Sequence, residues 1–232
     1  MMRMFLLALM APSLDPAQGS APNTLTEAEK AQGWRLLFDG KTTAGWRGFK
    51  QTSCPAGWKV VDGALGRTAQ AGDIVTEEEF ESFELSLEWK VAKGGNSGIF
   101  FGVSEDHGSV WETGPEFQVL DNALHKDGGD PKTSAGANYA LHAPAKDATR
   151  PPGEWNVARI RVEGAKVEHW LNGVKLLSYE LGSAEWKALV GASKFKSMPD
   201  YGTRRRGRLA LQDHGDSVEY RSIKIRTLGG AR

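Results

Sequence analysis

Period-two alternation of apolar and polar side chains is the feature that most limits what this chain can fold into. In residues 83–91 the apolar side chains fall on one face of a strand and the polar ones on the other. Residues 155–162 and 166–171 repeat this pattern around a turn at Gly164. The dipeptide Asn172-Gly173 then predicts a hairpin, because both residues tolerate positive φ.

The sequence contains one further alternating run and little helical periodicity. Residues 217–226 alternate, but the spacing between Tyr220 and Ile223 is odd and predicts a β-bulge or bend. One short helix is predicted, over residues 185–190. Many strands at hairpin spacing predict an all-β fold, a two-sheet antiparallel β-sandwich of the jelly-roll type.

Composition and charge narrow the function. The chain has 232 residues with 29 basic and 29 acidic side chains. Because it has no surplus of basic side chains, we predict no nucleic-acid partner. Eight Trp, nine Phe and four Tyr suggest a ring-binding surface. The single cysteine, Cys54, excludes an intrachain disulfide framework.

The N-terminal residues predict export. Arg3 precedes an apolar run over residues 5–11, and small residues follow up to residue 21, in the order of a secretory signal peptide. That run is too short to span a bilayer, so we predict no membrane span and a periplasmic or extracellular location. Residues 22–32 are predicted as a linker, or a short surface helix with Thr26 as N-cap. One domain over 33–228 and a tail over 229–232 follow.

The densest polar cluster is the segment 114–122, followed by His125. On a strand, Glu116 and Gln118 point to one face about 7 Å apart. Asp121 and His125 add an acid and a base just past the strand end, which suggests a site that binds or transforms a substrate. Such alternation also fits a solvated strand face, and this alternative stays open.

A second cluster lies at 211–215. Gln212 and His214 share one face at the end of an apolar strand, where polar groups need partners or a cavity. Histidine titrates near neutral pH and serves as base, acid or metal ligand, although a lone histidine also occurs as a hydrogen-bonded structural residue. The Gly-rich turn at 94–98, which includes Asn96, would let a ligand approach the backbone closely.

Several segments together resemble one family, the 3-keto-disaccharide hydrolase domain. The resemblance covers residues 33–228. Two features depart from it: Ser222 stands where Asn is usual, and the stretch 204–208 is unusually basic. Neither lies in the polar clusters. The segments that carry it, in order, are residues 33–40, Gly45-Trp46, 96–101, 113–122, 135–139, 153–156, 169–173, 193–195 and 211–215.

This resemblance implies a concanavalin A-like jelly roll that cleaves oligosaccharides or glycosides carrying a 3-keto group. The carbonyl at C3 acidifies the C2 proton, so a base can form an enolate that expels the glycosidic oxygen by β-elimination. Water then adds, which gives a net hydrolysis. The reaction needs a base near C2, an acid at the leaving oxygen and donors at the C3 oxygen.

The resemblance also implies the residues. His214 or Asp121 would be the base, and Glu116 the acid or its partner. The remaining candidates would bind substrate hydroxyls or the enolate oxygen, and His125 is counted with them. They are Asn96, Gln118, His125, Tyr139, Lys194 and Gln212.

Two other function classes stay open at this stage. A conventional glucanase needs two carboxylates about 5 Å apart, and Glu116 with Asp121 only partly matches its motif, on opposite strand faces. A sugar-binding module would stack rings on its aromatic side chains without turnover. No cofactor is predicted, although the residue types would also suit a divalent cation such as calcium. The sequence leaves the oligomeric state open.

Overall fold

Residues 21–229 of the 232 are described by a computed structural model. Within this range strands dominate, and helix is short. Strands β1 to β13 are, in chain order, Arg35–Leu36, Trp46–Gly48, Trp58–Val61, Ala64–Arg67, Ile74–Thr76, Phe83–Val91, Asn96–Val103, Glu116–Leu120, Asn156–Glu163, Lys166–Leu171, Val174–Glu180, Arg208–Leu211 and Val218–Thr227. Helices α1 and α2 are Glu27–Ala31 and Ala184–Gly191, and short 3₁₀ helices are Val110–Glu112, Lys126–Gly129 and Lys194–Ser197.

The strands form two antiparallel sheets. The large sheet has the order β11-β10-β9-β6-β13-β4-β3, with β1 added to β13. The small sheet has the order β2-β5-β12-β7-β8. Most hydrogen-bonded neighbours are distant in sequence, as in a jelly roll. The predicted all-β, two-sheet antiparallel sandwich is therefore confirmed.

The core is formed by the apolar faces that alternation creates. Alternate residues of β6 from Phe83 to Val91 are buried, and so are Ile99, Phe117 and Val119 of the small sheet. Their cross-strand pairing places Ile99 opposite Phe117 on one face. The intervening residues of the small sheet therefore point away from this core.

Turn and bulge signals in the sequence are confirmed by the backbone. Asn172 and Gly173 have φ of 49° and 79° in the hairpin between β10 and β11. The register of β13 on β6 shifts between Arg221 and Lys224, at the predicted irregularity. Ser222 lies there at φ 51°. The predicted helix over 185–190 is α2.

The segment predicted as a linker is packed against the large sheet. Thr26 is the N-cap of α1, as predicted, and forms a capping box with Glu29. Glu29 is buried and pairs with the Lys224 ammonium. The Ser222 N–H donates to Asn23 Oδ1 at 2.8 Å, which supports the bulge. These contacts join the stretch to β13 of the large sheet.

The predicted signal peptide and tail lie almost entirely outside the described residues, which include only residue 21 of the first and residue 229 of the second. Between residues 21 and 229, no helix is long and apolar enough to cross a membrane.

Candidate active site

A polar cavity of about 110 Å³ lies on the outer face of the small sheet. Seven of the nine predicted site residues line it, which places the 114–122 and 211–215 clusters in one site. Trp111, which the sequence analysis did not select, is the eighth lining residue. The lining residues are Asn96, Trp111, Glu116, Gln118, Tyr139, Lys194, Gln212 and His214.

Strand pairing explains why these residues meet. Glu116 and Gln118 of β8 lie opposite Phe100 and Gly98 of β7, and paired residues project to the same face of a sheet. Gln212 directly follows β12, the next strand along, and its N–H donates to the Gly98 carbonyl at 3.0 Å. The consecutive strands β7 and β8 and the distant strand β12 thus deliver polar side chains to one patch.

Glu116 is the central ionisable group of the cavity. Its residue is 7% exposed, and burial raises the pKa of its carboxyl to about 8. The positive charge of Lys194 opposes this rise, whereas the negative charges of Asp73 and Asp127 add to it. At neutral pH Glu116 therefore carries a proton that it can donate.

A glycine makes room for this carboxyl. A Cβ on Gly98 would lie 2.9 Å from Glu116 Cδ and closer still to Oε1. It would also lie 3.0 Å from Cε2 of Phe100. Gly98 therefore serves close packing against Glu116, and its φ does not require glycine.

Three amide side chains in the cavity wall have unused hydrogen-bonding capacity. Asn96 Oδ1, Gln118 Oε1 and Gln212 Oε1 are buried without a partner in the described part of the chain. Leaving such groups unpaired costs free energy, about 1–3 kcal/mol each. A polyhydroxylated ligand would satisfy them, so the wall suits a sugar.

Lys194 and Tyr139 form the cationic side of the cavity. The Lys194 ammonium lies 4.1 Å from the centroid of the Tyr139 ring. Partial desolvation lowers the pKa of Lys194, while the charge of Glu116 opposes that shift. Burial, with the charges of Asp127 and Glu116, raises the pKa of Tyr139 to about 12. Tyr139 is therefore a neutral hydrogen-bond donor next to a cation.

His214 is exposed and sits on a turn that Asp213 fixes. The Asp213 carboxylate accepts the backbone N–H groups of Ala71 at 2.7 Å and Gly72 at 2.9 Å. It also accepts Nε of Arg67 at 2.7 Å. These contacts fix the backbone next to His214, whose side chain is exposed.

The structure does not bring Asp121 and His125 into the lining. Asp121 accepts the N–H groups of Gly94 at 2.7 Å and Ala123 at 3.1 Å, so its carboxylate holds two turns together. Five residues from Glu116 is an odd step on a strand, which turns Asp121 to the other side. His125 lies behind His214, with ring centroids 6.2 Å apart.

His125 has a defined tautomer. Its Nδ1 accepts the Asp127 N–H at 3.1 Å, so the neutral ring carries its proton on Nε2. Its ring meets the His214 ring edge to face.

Two further residues near the cavity were missed from the sequence. Trp111 lies in the 3₁₀ helix Val110–Glu112, outside any alternating run. Asp73 precedes β5, and burial together with the charge of Asp213 raises its pKa to about 6. No sequence pattern links Asp73 to Glu116, because β5, which follows Asp73, is separated in the small sheet from β8, which carries Glu116.

A larger groove of about 640 Å³ lies at the ends of β6 and β8 and shares no lining residue with the polar cavity. Its walls are mainly apolar, with Trp89, Leu120 and Pro151 among them. The acidic Asp121 in this wall is already bonded to backbone amides. Within residues 21–229, no group of three or more His, Cys, Asp or Glu side chains is arranged to hold a metal ion.

Comparison with known proteins identifies the family. The model of the 3-keto-alpha-glucoside-1,2-lyase-like domain matches residues 33–226. The chain belongs to this family. A 3-keto-disaccharide hydrolase of Bacteroides thetaiotaomicron is 36% identical over 231 aligned positions, which cover 85% of this chain and 79% of that protein. The predicted resemblance is thereby confirmed, and a glycoside hydrolase function is supported.

Solved structures agree with the fold of this 3-keto-alpha-glucoside-1,2-lyase-like domain. A provisionally named glycosyl hydrolase from Parabacteroides distasonis superimposes with a TM-score of 0.83 at 37% identity, over 90% of this chain and 100% of that one. A second from the same organism gives 0.72 at 31%, over 84% and 99%. A Bacillus subtilis protein with a galectin-like fold, 12% identical at 0.51, over 89% of this chain and 94% of that one, shows the sandwich architecture alone.

Proposed function

We propose that this chain cleaves the glycosidic bond of 3-keto-disaccharides and related 3-keto-glycosides. The observation that carries this proposal is the convergence of a buried carboxyl with a raised pKa, Glu116, and an exposed imidazole, His214, in one polar cavity. The activity of the B. thetaiotaomicron relative, as its name states it, supports the substrate class.

The reaction begins with removal of the C2 proton, which the C3 carbonyl acidifies. The resulting enolate re-forms the C3 carbonyl as the C1–O bond breaks, and the leaving oxygen takes a proton. This β-elimination gives an enone. Water then adds, with its oxygen bonding to C1 and a proton going to C2, so that the net change is hydrolysis.

Each step has a suitable group in the cavity. His214 is the proposed base, because it lies in the lining and its side chain is exposed. Glu116, which holds its proton up to about pH 8, is the proposed acid for the leaving oxygen. Lys194 supplies positive charge for the enolate oxygen. Asn96, Gln118, Gln212 and Tyr139 bind hydroxyls.

The conventional glucanase mechanism has less support. Retaining hydrolysis uses two carboxylates about 5 Å apart, whereas Glu116 is the only carboxylate among the described lining residues. Asp121 is occupied by backbone N–H groups elsewhere. A purely sugar-binding role remains the other class, and turnover decides between them.

The test is turnover of 3-keto-trehalose or 3-keto-lactose in D2O. We expect transient enone absorbance, release of the second sugar, and deuterium at C2 of the keto-sugar beyond a no-enzyme control. The unoxidised disaccharides should not react, and a parallel assay after chelation with EDTA tests the prediction that no cofactor is needed. Sugar release without C2 deuterium would contradict the elimination mechanism, and saturable binding without release would favour a binding module.

The close packing of Gly98 on Glu116 gives a second prediction. Gly98→Ala should lower kcat about 10- to 100-fold, because the new methyl group displaces the Glu116 carboxyl. Overpacking should also reduce the free energy of unfolding by about 1–3 kcal/mol. The measurements are kcat and urea unfolding.

Gly66→Ala is the matched control for this change. Gly66 is also a strand glycine, but a Cβ there would meet its nearest atom at an ordinary 3.7 Å. Its kcat should stay within about 2-fold of wild type. If both variants behave alike, the packing of Gly98 on Glu116 has no role in turnover.

Export is part of the same proposal. The order of positive charge, apolar run and small residues at the N-terminus supports it. Detection of the processed chain in a periplasmic or culture fraction of the native host would test it, and retention of the full-length chain in the cytoplasm would contradict it.

A further inference from the structure

We propose that Trp111 forms a separate leaving-group subsite at the mouth of the cavity, which recognises a ring by stacking. The subsite would take a second pyranose or an aromatic aglycone, since both offer a flat apolar face. This inference rests on the proposed function and concerns the half of the substrate that the reaction releases.

The size of the cavity supplies the first step. At about 30 Å³ for each water molecule in the liquid, a volume of about 110 Å³ holds only about four waters. A volume this small has no room for two sugar rings. The second ring of a disaccharide must therefore lie outside the polar cavity, at its opening.

The chemistry of the lining supplies the second step. The other seven lining residues carry amide, carboxyl, phenol, ammonium or imidazole groups, whereas Trp111 presents an indole. Trp111 is 40% exposed, and large apolar side chains this exposed are scarce in residues 21–229, Val61 and Leu124 being the others. An exposed indole beside a polar cavity matches a ring-binding platform, because sugars stack their C–H faces on aromatic rings.

The anchoring of the neighbouring residues supplies the third step. Val110, just before Trp111, is fully buried in a small cluster with Val75, Phe100, Val103 and Ala210. Its carbonyl accepts the Gly114 N–H at 3.0 Å. Because this backbone is fixed, the Cα of Trp111 is held next to the cavity, and no loop has to be ordered when a ring stacks on the indole.

The experiment compares substrates that differ only in the leaving group. For Trp111→Ala, kcat/KM for 3-keto-trehalose and for an aryl 3-keto-glucoside should fall about 10- to 100-fold. For methyl 3-keto-glucoside, which has no second ring, it should change less than about 3-fold. The loss should lie mainly in KM, because stacking acts on bound substrate and transition state alike. Trp111→Phe should recover most of the activity.

Val61→Ala is the control, since Val61 is equally exposed at 40% but lies on β3 of the large sheet. Equal losses on all three substrates, or no loss on the two with a second ring, would overturn the stacking subsite. A loss of kcat/KM for the aryl glycoside alone would overturn the proposal that the subsite binds a second sugar ring. If the wild-type protein cleaves none of the three, the proposed function itself fails and this inference falls with it.

Discussion

Glu116→Gln is expected to lower kcat on a 3-keto-disaccharide by about 10²–10⁴-fold, the usual contribution of a general acid. The amide keeps the shape and neutrality of the protonated carboxyl, yet it cannot give a proton to the leaving oxygen. Removal of the C2 proton by His214 should continue. The variant should therefore still exchange C2 hydrogen with D2O while releasing almost no sugar.

The pH dependence follows from the pKa of Glu116, which burial raises to about 8. Wild-type kcat should fall above pH 8 as the acid loses its proton, and this alkaline limb should be absent from the residual activity of Glu116→Gln. Glu219→Gln is the control and should keep the alkaline limb, because the Glu219 carboxylate pairs with Lys90 on the large sheet, away from the cavity. An unchanged alkaline limb in Glu116→Gln would contradict the role of Glu116 as acid.

Stability should show the same titration. The folded-state pKa of Glu116 lies above its ordinary 4.5, so the folded protein binds the proton more tightly than the unfolded chain. This contribution to stability is complete below about pH 4.5 and is lost as the pH rises to about 8. The Tm of Glu116→Gln should therefore gain on that of the wild type between pH 5 and pH 9.

His214→Ala is expected to lower kcat by a similar factor of about 10²–10⁴, but at an earlier step. Without the base, neither C2 exchange with D2O nor sugar release should occur. Because His214 is exposed at the cavity, added imidazole should restore part of the activity.

Imidazole should not restore Glu116→Gln, which separates the two roles. Wild-type turnover by His214→Ala would end the assignment of His214 as base. If His214→Ala still exchanges the C2 hydrogen with D2O but releases no sugar, His214 would be the acid and Glu116 the base.

Local patterns in the sequence account for much of the sandwich. Alternation in 83–91 and the Asn172-Gly173 turn predict strands and a hairpin, because side-chain period and backbone φ are local properties. The bulge near Ser222 is also local, since it shows as a break in period. The packing of residues 22–32 could not be predicted from local patterns, because the ion pair between Glu29 and Lys224 joins residues that are 195 positions apart.

The candidate site, too, could be predicted only in part from local sequence. The types and spacing of the residues in 114–122 and 211–215, together with the family resemblance, select seven of the eight lining residues. They do not distinguish Glu116 from Asp121, because the role of each carboxyl depends on its surroundings. Glu116 meets Gly98 and a desolvated wall, whereas Asp121 meets the N–H groups of Gly94 and Ala123.

The sequence by itself determined the β-sandwich, the family and most of the polar residues that line the cavity, since strand period, turn chemistry and motif order are local properties of the chain. Only the tertiary structure decided which of the two buried carboxyls lines the polar cavity with a raised pKa, and that the exposed Trp111 belongs to the same lining. Burial, pKa and cavity shape depend on residues brought together from distant strands, and no local pattern encodes these distances.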